Sequence, residues 1–137
     1  MERYKVFEKY VRNLRRDQRG TTRAARVRTM TPFTYIFLRK DMKPVYHIIQ
    51  AAHAAQEAGI AFGKPEGEIP IHLGLFEVKN QAELFKTAEV LEKLGIRFKM
   101  FYEPDDETGY TAIATEPIFS KQREAINEAL KPKMFRV

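Results

Sequence analysis

Residues 33–58 constrain the fold of this chain more than any other stretch. In Phe33-Thr34-Tyr35-Ile36-Phe37-Leu38-Arg39, Phe33, Tyr35 and Phe37 point one way and Ile36 and Leu38 the other. A strand with two apolar faces belongs inside a sheet, with a layer packed on each side. Asp41-Met42-Lys43-Pro44 then makes a turn, and Pro44 suits the first helical position, where its missing N–H costs nothing. A helix follows over residues 45–57, closed by Gly59. Its face of Val45, Ile48, Ile49, Ala52 and Ala55 is expected to pack on the sheet, with His47, Gln50, Ala51 and Ala54 on an adjoining face. Tyr46, His47, Gln50 and His53 near the helix start form the densest group of reactive side chains in the chain.

The remainder supplies the rest of a sheet. Gly59, Gly63, Pro65 and Gly67 read as a loop, and Ile71, Leu73 and Leu75 alternate through a strand at about 70–78. Asn80 with Glu83 has the form of a capping box, and Leu84, Phe85, Ala88, Leu91 and Leu94 continue it as a helix that Gly95 closes. A third strand spans 96–102, and an acidic loop at 103–109 leads into a fourth at 110–116. Ser120 is expected to cap a last helix running to Leu130, stopped by Pro132. Helices between strands favour parallel pairing, and the short acidic loop favours a hairpin. The expected fold is α/β, a mixed four-stranded sheet with helices on both faces, over residues 32–137.

Residues 1–31 read as a separate basic extension. Residues 1–28 hold ten basic and three acidic side chains, a charge of +7 in a chain whose total is +6. Phe7, Tyr10, Val11 and Leu14 recur at helical spacing, a stripe free to pack on the domain or on a second copy as a homodimer. Arg12, Arg15, Arg16, Arg19, Arg23, Arg26 and Arg28, with Lys40 and Lys43 at the turn, are the expected RNA-binding residues, because arginine suits phosphate and stacks on bases. The bland reading of the same arm is a solvated extension. No run of about 18 apolar residues is present, so no membrane span is expected. The start of the chain lacks an apolar signal core, and there is no cysteine; both fit a cytoplasmic protein. The missing cysteine also excludes disulfides, thiolate metal sites and cysteine nucleophiles. His47 and His53 are six residues apart, not the three or four that bring two ligands onto one helix face, so no metal is expected. No phosphate-cradling glycine loop or nucleophile elbow occurs, and no cofactor is expected.

With these elements placed, Leu38-Arg39-Lys40-Asp41 followed by Gln50-Ala51-Ala52-His53-Ala54-Ala55 resembles the opening of the peptidyl-tRNA hydrolase type II family. Phe76-Glu77-Val78 with residues 80–94 resembles that family's second strand and helix, and 96–102 with 110–117 resembles its closing hairpin. The resemblance covers about 33–136 and is strongest to the divergent peptidyl-tRNA hydrolase domain-containing branch, which shares the short loop at 103–109 and the charged tail at 131–136. It implies a hydrolase of the ester joining a peptide to the 3′ end of tRNA. The family lysine four residues before the helix glutamine is Tyr46 here, as the divergent branch also lacks it. Glu103 stands nearest the family aspartate, and Thr111 matches a family threonine. Read from the chemistry of the residues themselves, the expected catalytic set is His47 as base, Glu103 to orient it or act as base, and Tyr46, Gln50 and Thr111 as hydrogen-bond donors; the plain alternative for His47 is an exposed helix residue. The start of the helix adds a positive dipole end. His53, between alanines, reads as structural, and Asp105-Asp106-Glu107 as a solvated turn. Two other readings stay open: a non-catalytic tRNA or RNA binder on the same fold, and an assembly protein that uses its basic arm.

Overall fold

The computed structural model describes residues 31–65 and 70–137. The basic extension, with Arg12, Arg15, Arg16, Arg19, Arg23, Arg26 and Arg28 and the stripe Phe7 to Leu14, lies outside the described residues. The elements run β1 (Phe33–Arg39), α1 (Pro44–Phe62), β2 (His72–Val78), α2 (Gln81–Lys93), β3 (Phe98–Glu103), a short 3-10 turn (Asp105–Glu107), β4 (Gly109–Thr115), α3 (Ser120–Leu130) and β5 (Lys133–Met134). The fold is therefore α/β, and the described residues form one mixed five-stranded sheet in the order β3-β4-β1-β2-β5.

β1 occupies the centre, as its two apolar faces require. It pairs parallel with β2, Phe33 opposite His72 through Arg39 opposite Val78, and antiparallel with β4, Ile36 opposite Ala114. On one face Tyr35, Phe37 and Ile113 pack against Leu84, Ala88 and Leu91 of α2 and Ile126 of α3. On the other, Ile36, Leu38, Ala112 and Ala114 pack against Ala54 and Ala58 of α1. Alanines on both sides of that second contact leave little side-chain bulk between helix and sheet.

Four expectations are corrected. The sheet has five strands, not four, because the chain after Pro132 turns back and pairs Met134 with Phe76 and Lys133 with Glu77. Two exposed residues carry no alternation to read. α1 continues past Gly59 to Phe62 and ends at Gly63, whose φ of 66° suits glycine and whose N–H donates to the Gly59 carbonyl. α1 also presents the opposite face to the sheet. His47, Gln50, Ala54 and Ala58 are buried, while Val45 is 63% and Ile48 76% exposed. The sheet surface opposite already carries Ile36 and Leu38 beside Ala112 and Ala114, and the small side chains of α1, Ala54 and Ala58, fit over that surface at close approach. Ser120 does not cap α3 but is its first residue; the Phe119 N–H before it donates to Gln122 Oε1 at 3.0 Å. At α2, by contrast, the expected box is present: Asn80 Oδ1 accepts from the Glu83 N–H at 3.0 Å and Glu83 Oε2 from the Lys79 N–H at 2.7 Å.

Candidate active site

The site is built where α1 crosses the β3–β4 hairpin. In a helix of 3.6 residues per turn, Tyr46, Gln50 and His53 stack along one stripe, while His47 falls about a quarter turn away. Phe101 and Glu103, two apart on β3, share one face of their strand. The two rows meet in register. The His53 ring stacks on Phe101 at 4.6 Å with 4° between planes, and Gln50 Nε2 donates to Glu103 Oε2 at 2.8 Å.

Thr111 completes the row through a break in pairing. Phe101 pairs with Ala112 and Tyr102 with Tyr110, so Thr111 is the unpaired extra residue of a β-bulge. A regular strand would turn Thr111 to the α2 face beside Ile113. Instead its hydroxyl, fully buried, donates to Gln50 Oε1 at 2.6 Å. The resulting chain runs Thr111 to Gln50 to Glu103. Its carboxylate end is half-buried, and the other Glu103 oxygen accepts from the Asp105 N–H at 3.2 Å. The hydrogen bond from Gln50, then that from Asp105, holds the Glu103 carboxyl below the usual glutamate range against the opposing effect of burial, and His53 adds to the lowering. Glu103 is thus an ionised acceptor in a fixed orientation.

The acidic loop is fastened from two sides. Arg39 forks onto Asp41, Nε to Oδ1 at 2.9 Å and Nη2 to Oδ2 at 3.1 Å, while its Nη1 donates to the carbonyls of Thr108 at 2.6 Å and Tyr110 at 3.1 Å. Gln81 Oε1 accepts from the Tyr110 N–H at 2.9 Å and lies against the Gly109 Cα, leaving no room for a Cβ there. Beside this loop lies a cleft of about 720 Å³, lined by Arg39, Asp41, Lys43, Tyr46, Gln50, His53, Glu103 and the acidic turn.

The structure brings Tyr46, Gln50 and Glu103 of the expected set to this cleft, with Lys43 at its edge and Thr111 beneath it. It does not bring His47. That ring is buried under the C-terminal tail, edge-on to Phe135 at 4.9 Å, with Nε2 3.3 Å from the Lys40 carbonyl. His53, read from sequence as structural, is the histidine that lines the cleft. Thr111 donates to Gln50 and Gln50 to Glu103, and the two so position the carboxylate. Lys40 likewise faces away from the cleft: its ammonium pairs with Glu77 at 3.4 Å, donates to the Arg136 carbonyl and covers the Phe135 ring at 4.1 Å. Arg39 and His53 also line the cleft, where the sequence reading had not placed them. The four- and three-residue steps from Tyr46 to Gln50 to His53 were the available signal for His53.

Among the described residues, no group of three or more His, Asp or Glu side chains is placed to hold a metal ion, and no helix is long and apolar enough to cross a membrane. No family model matches the chain, and no match to it is found among curated proteins.

Proposed function

We propose that the chain hydrolyses the ester that joins a peptide to the 3′ end of tRNA, on a peptidyl-tRNA hydrolase II-like fold with a divergent active site. The observation that carries this reading is the buried Thr111–Gln50–Glu103 relay, which holds an ionised carboxylate at the wall of a cleft beside His53. Ester hydrolysis needs a water stripped of a proton as it attacks, and donors for the oxyanion that develops. Histidine is the side-chain type that exchanges a proton near neutral pH, so His53 takes the role of base. Glu103, held low and ionised, is a weak base but a strong acceptor, and it fixes the attacking water by a charge-assisted hydrogen bond. Tyr46, 44% exposed at the rim, offers its hydroxyl to the oxyanion.

The experiment is single-turnover release of peptide from peptidyl-tRNA by the full chain and by Glu103→Gln, with tRNA binding measured in parallel. Wild type should release peptide, and Glu103→Gln should release it about 100-fold or more slowly at similar tRNA affinity. A second reading, a non-catalytic tRNA binder, is favoured by one observation: an exposed tyrosine stands where the family carries a lysine. Tight tRNA binding by wild type with no release above buffer would establish that reading instead.

A further inference from the structure

A second cavity, of about 710 Å³, opens at the carboxyl ends of β1 and β2, and Asp41 lines both it and the cleft. β1 and β2 run parallel, but α1 leaves β1 over one face of the sheet while α2 leaves β2 over the other. Where successive connections diverge in this way, a crevice forms outside the strand ends, and open α/β sheets hold their ligands there.

The lining gives this crevice a sign. Five lysines border it, Lys40, Lys79, Lys86, Lys131 and Lys133, against three carboxylates. Each carboxylate is already engaged. Asp41 takes the Arg39 fork, and Glu83 accepts the Lys79 N–H. Glu77 lies between Lys133 at 3.0 Å and Lys40 at 3.4 Å, and those ammonium groups, Lys133 foremost, hold its carboxyl below the usual range. Lys79, Lys86 and Lys131 are left with no carboxylate partner among the described residues. Lys131 also caps α3 in the left-handed region, φ 47° and ψ 59°, where glycine or asparagine is the usual choice. A lysine there puts a cation at the crevice wall at a conformational cost. Apart from Thr87 the remaining lining is apolar, Phe37, Val90 and Leu130 among it, which strengthens attraction for an anion.

We propose that this crevice binds backbone phosphates of the RNA strand whose 3′ end enters the adjoining cleft, with Lys79, Lys86 and Lys131 as the phosphate contacts. This inference rests on the tRNA partner of the proposed function and adds to it the path of the acceptor strand, from crevice to cleft past Asp41.

The test compares the full chain with Lys79→Gln/Lys86→Gln/Lys131→Gln in tRNA affinity across a salt series. Each phosphate contact to a single strand contributes about 0.7 to the slope of log affinity against log salt, so three lost contacts should flatten it by about 2 and weaken binding roughly 50-fold at 0.15 M salt. The corresponding Lys→Arg triple should bind like wild type, which separates lost charge from damage to the fold. Lys64→Gln/Lys99→Gln/Lys121→Gln removes the same charge from exposed lysines that line neither cavity. Wild-type affinity and slope in the crevice triple, or an equal loss in the distant triple, would overturn the proposal. Peptide release by wild type separates the two failures. Release with an unaffected crevice triple removes the crevice and leaves the hydrolase. No release, with binding that depends on the three lysines, removes the hydrolase and leaves the crevice. A wild-type chain that does not bind tRNA overturns both.

Discussion

Thr111→Val is the sharpest probe of the relay. Valine keeps the shape of threonine but deletes the hydroxyl that donates to Gln50 Oε1 at 2.6 Å. Thr111 is fully buried and Gln50 3% exposed, so water has little access to replace the lost donor. An amide oxygen left unpaired in such a place costs about 1–3 kcal/mol. Taking about 2 kcal/mol and a urea slope of about 1.5 kcal/mol per molar, the midpoint of urea unfolding should fall by roughly 1.3 M. Gln50→Leu removes the other partner, and the double variant should be less destabilised than the sum of the singles by about 1 kcal/mol or more, because the unpaired oxygen is then gone. Peptide release by Thr111→Val should slow as well, by up to about 100-fold, since Gln50 loses the contact that holds it and Glu103, which accepts from Gln50, drifts from its orientation. A midpoint shift below about 0.3 M with strictly additive variants would refute the buried relay, however the site behaves chemically.

Other consequences follow from the same geometry. Gly109→Ala forces a side chain onto a backbone at φ 80° and against the Gln81 amide; it should lower the urea midpoint and loosen the hairpin, which faster amide exchange at Tyr110 would report. Glu103 and Glu77 both have folded-state values below their unfolded ones, so their stabilisation is complete above about pH 4.3, the ordinary glutamate value, and is lost as pH falls through the lowered values. Urea midpoints measured from pH 7 to pH 3 should therefore fall less steeply in Glu103→Gln and in Glu77→Gln than in wild type, and parallel curves would contradict the assignment. Removing residues 1–28, with their charge of +7, should weaken RNA binding and flatten its salt dependence; equal affinity and slope in the truncated chain would show that the arm takes no part.

The central strand, the order of helices and strands, the Asn80 cap and the hairpin were legible because each rests on local pattern: two apolar faces, helical period, a capping pair, a short acidic loop. The orientation of α1 was not. Its larger residues, Val45, Ile48 and Ile49, outrank alanine on any hydrophobicity reading, yet the alanine face is the one that fits over Ile36, Leu38, Ala112 and Ala114, and the larger residues remain outside. That one rotation carries His47 under Phe135 and His53 into the cleft. The bulge at Thr111 was also hidden, because residues 110–116 read as an unbroken strand and only the pairing with β3 shows the skipped residue. The role of Thr111 was reached through resemblance; its inward aim needed the structure.

The most direct measurement of the central claim compares two histidines in single-turnover release of peptide from peptidyl-tRNA: wild type, His53→Ala and His47→Ala, with tRNA affinity and melting temperature recorded for each. With His53 at the cleft and His47 packed beneath the tail, His53→Ala should slow release by about 100- to 10,000-fold while tRNA affinity holds. His47→Ala should release peptide within a few-fold of wild type and lose melting temperature instead. Absence of release by wild type would contradict catalysis at this cleft. Loss of release in His47→Ala, with His53→Ala unaffected, would contradict the assignment of the base.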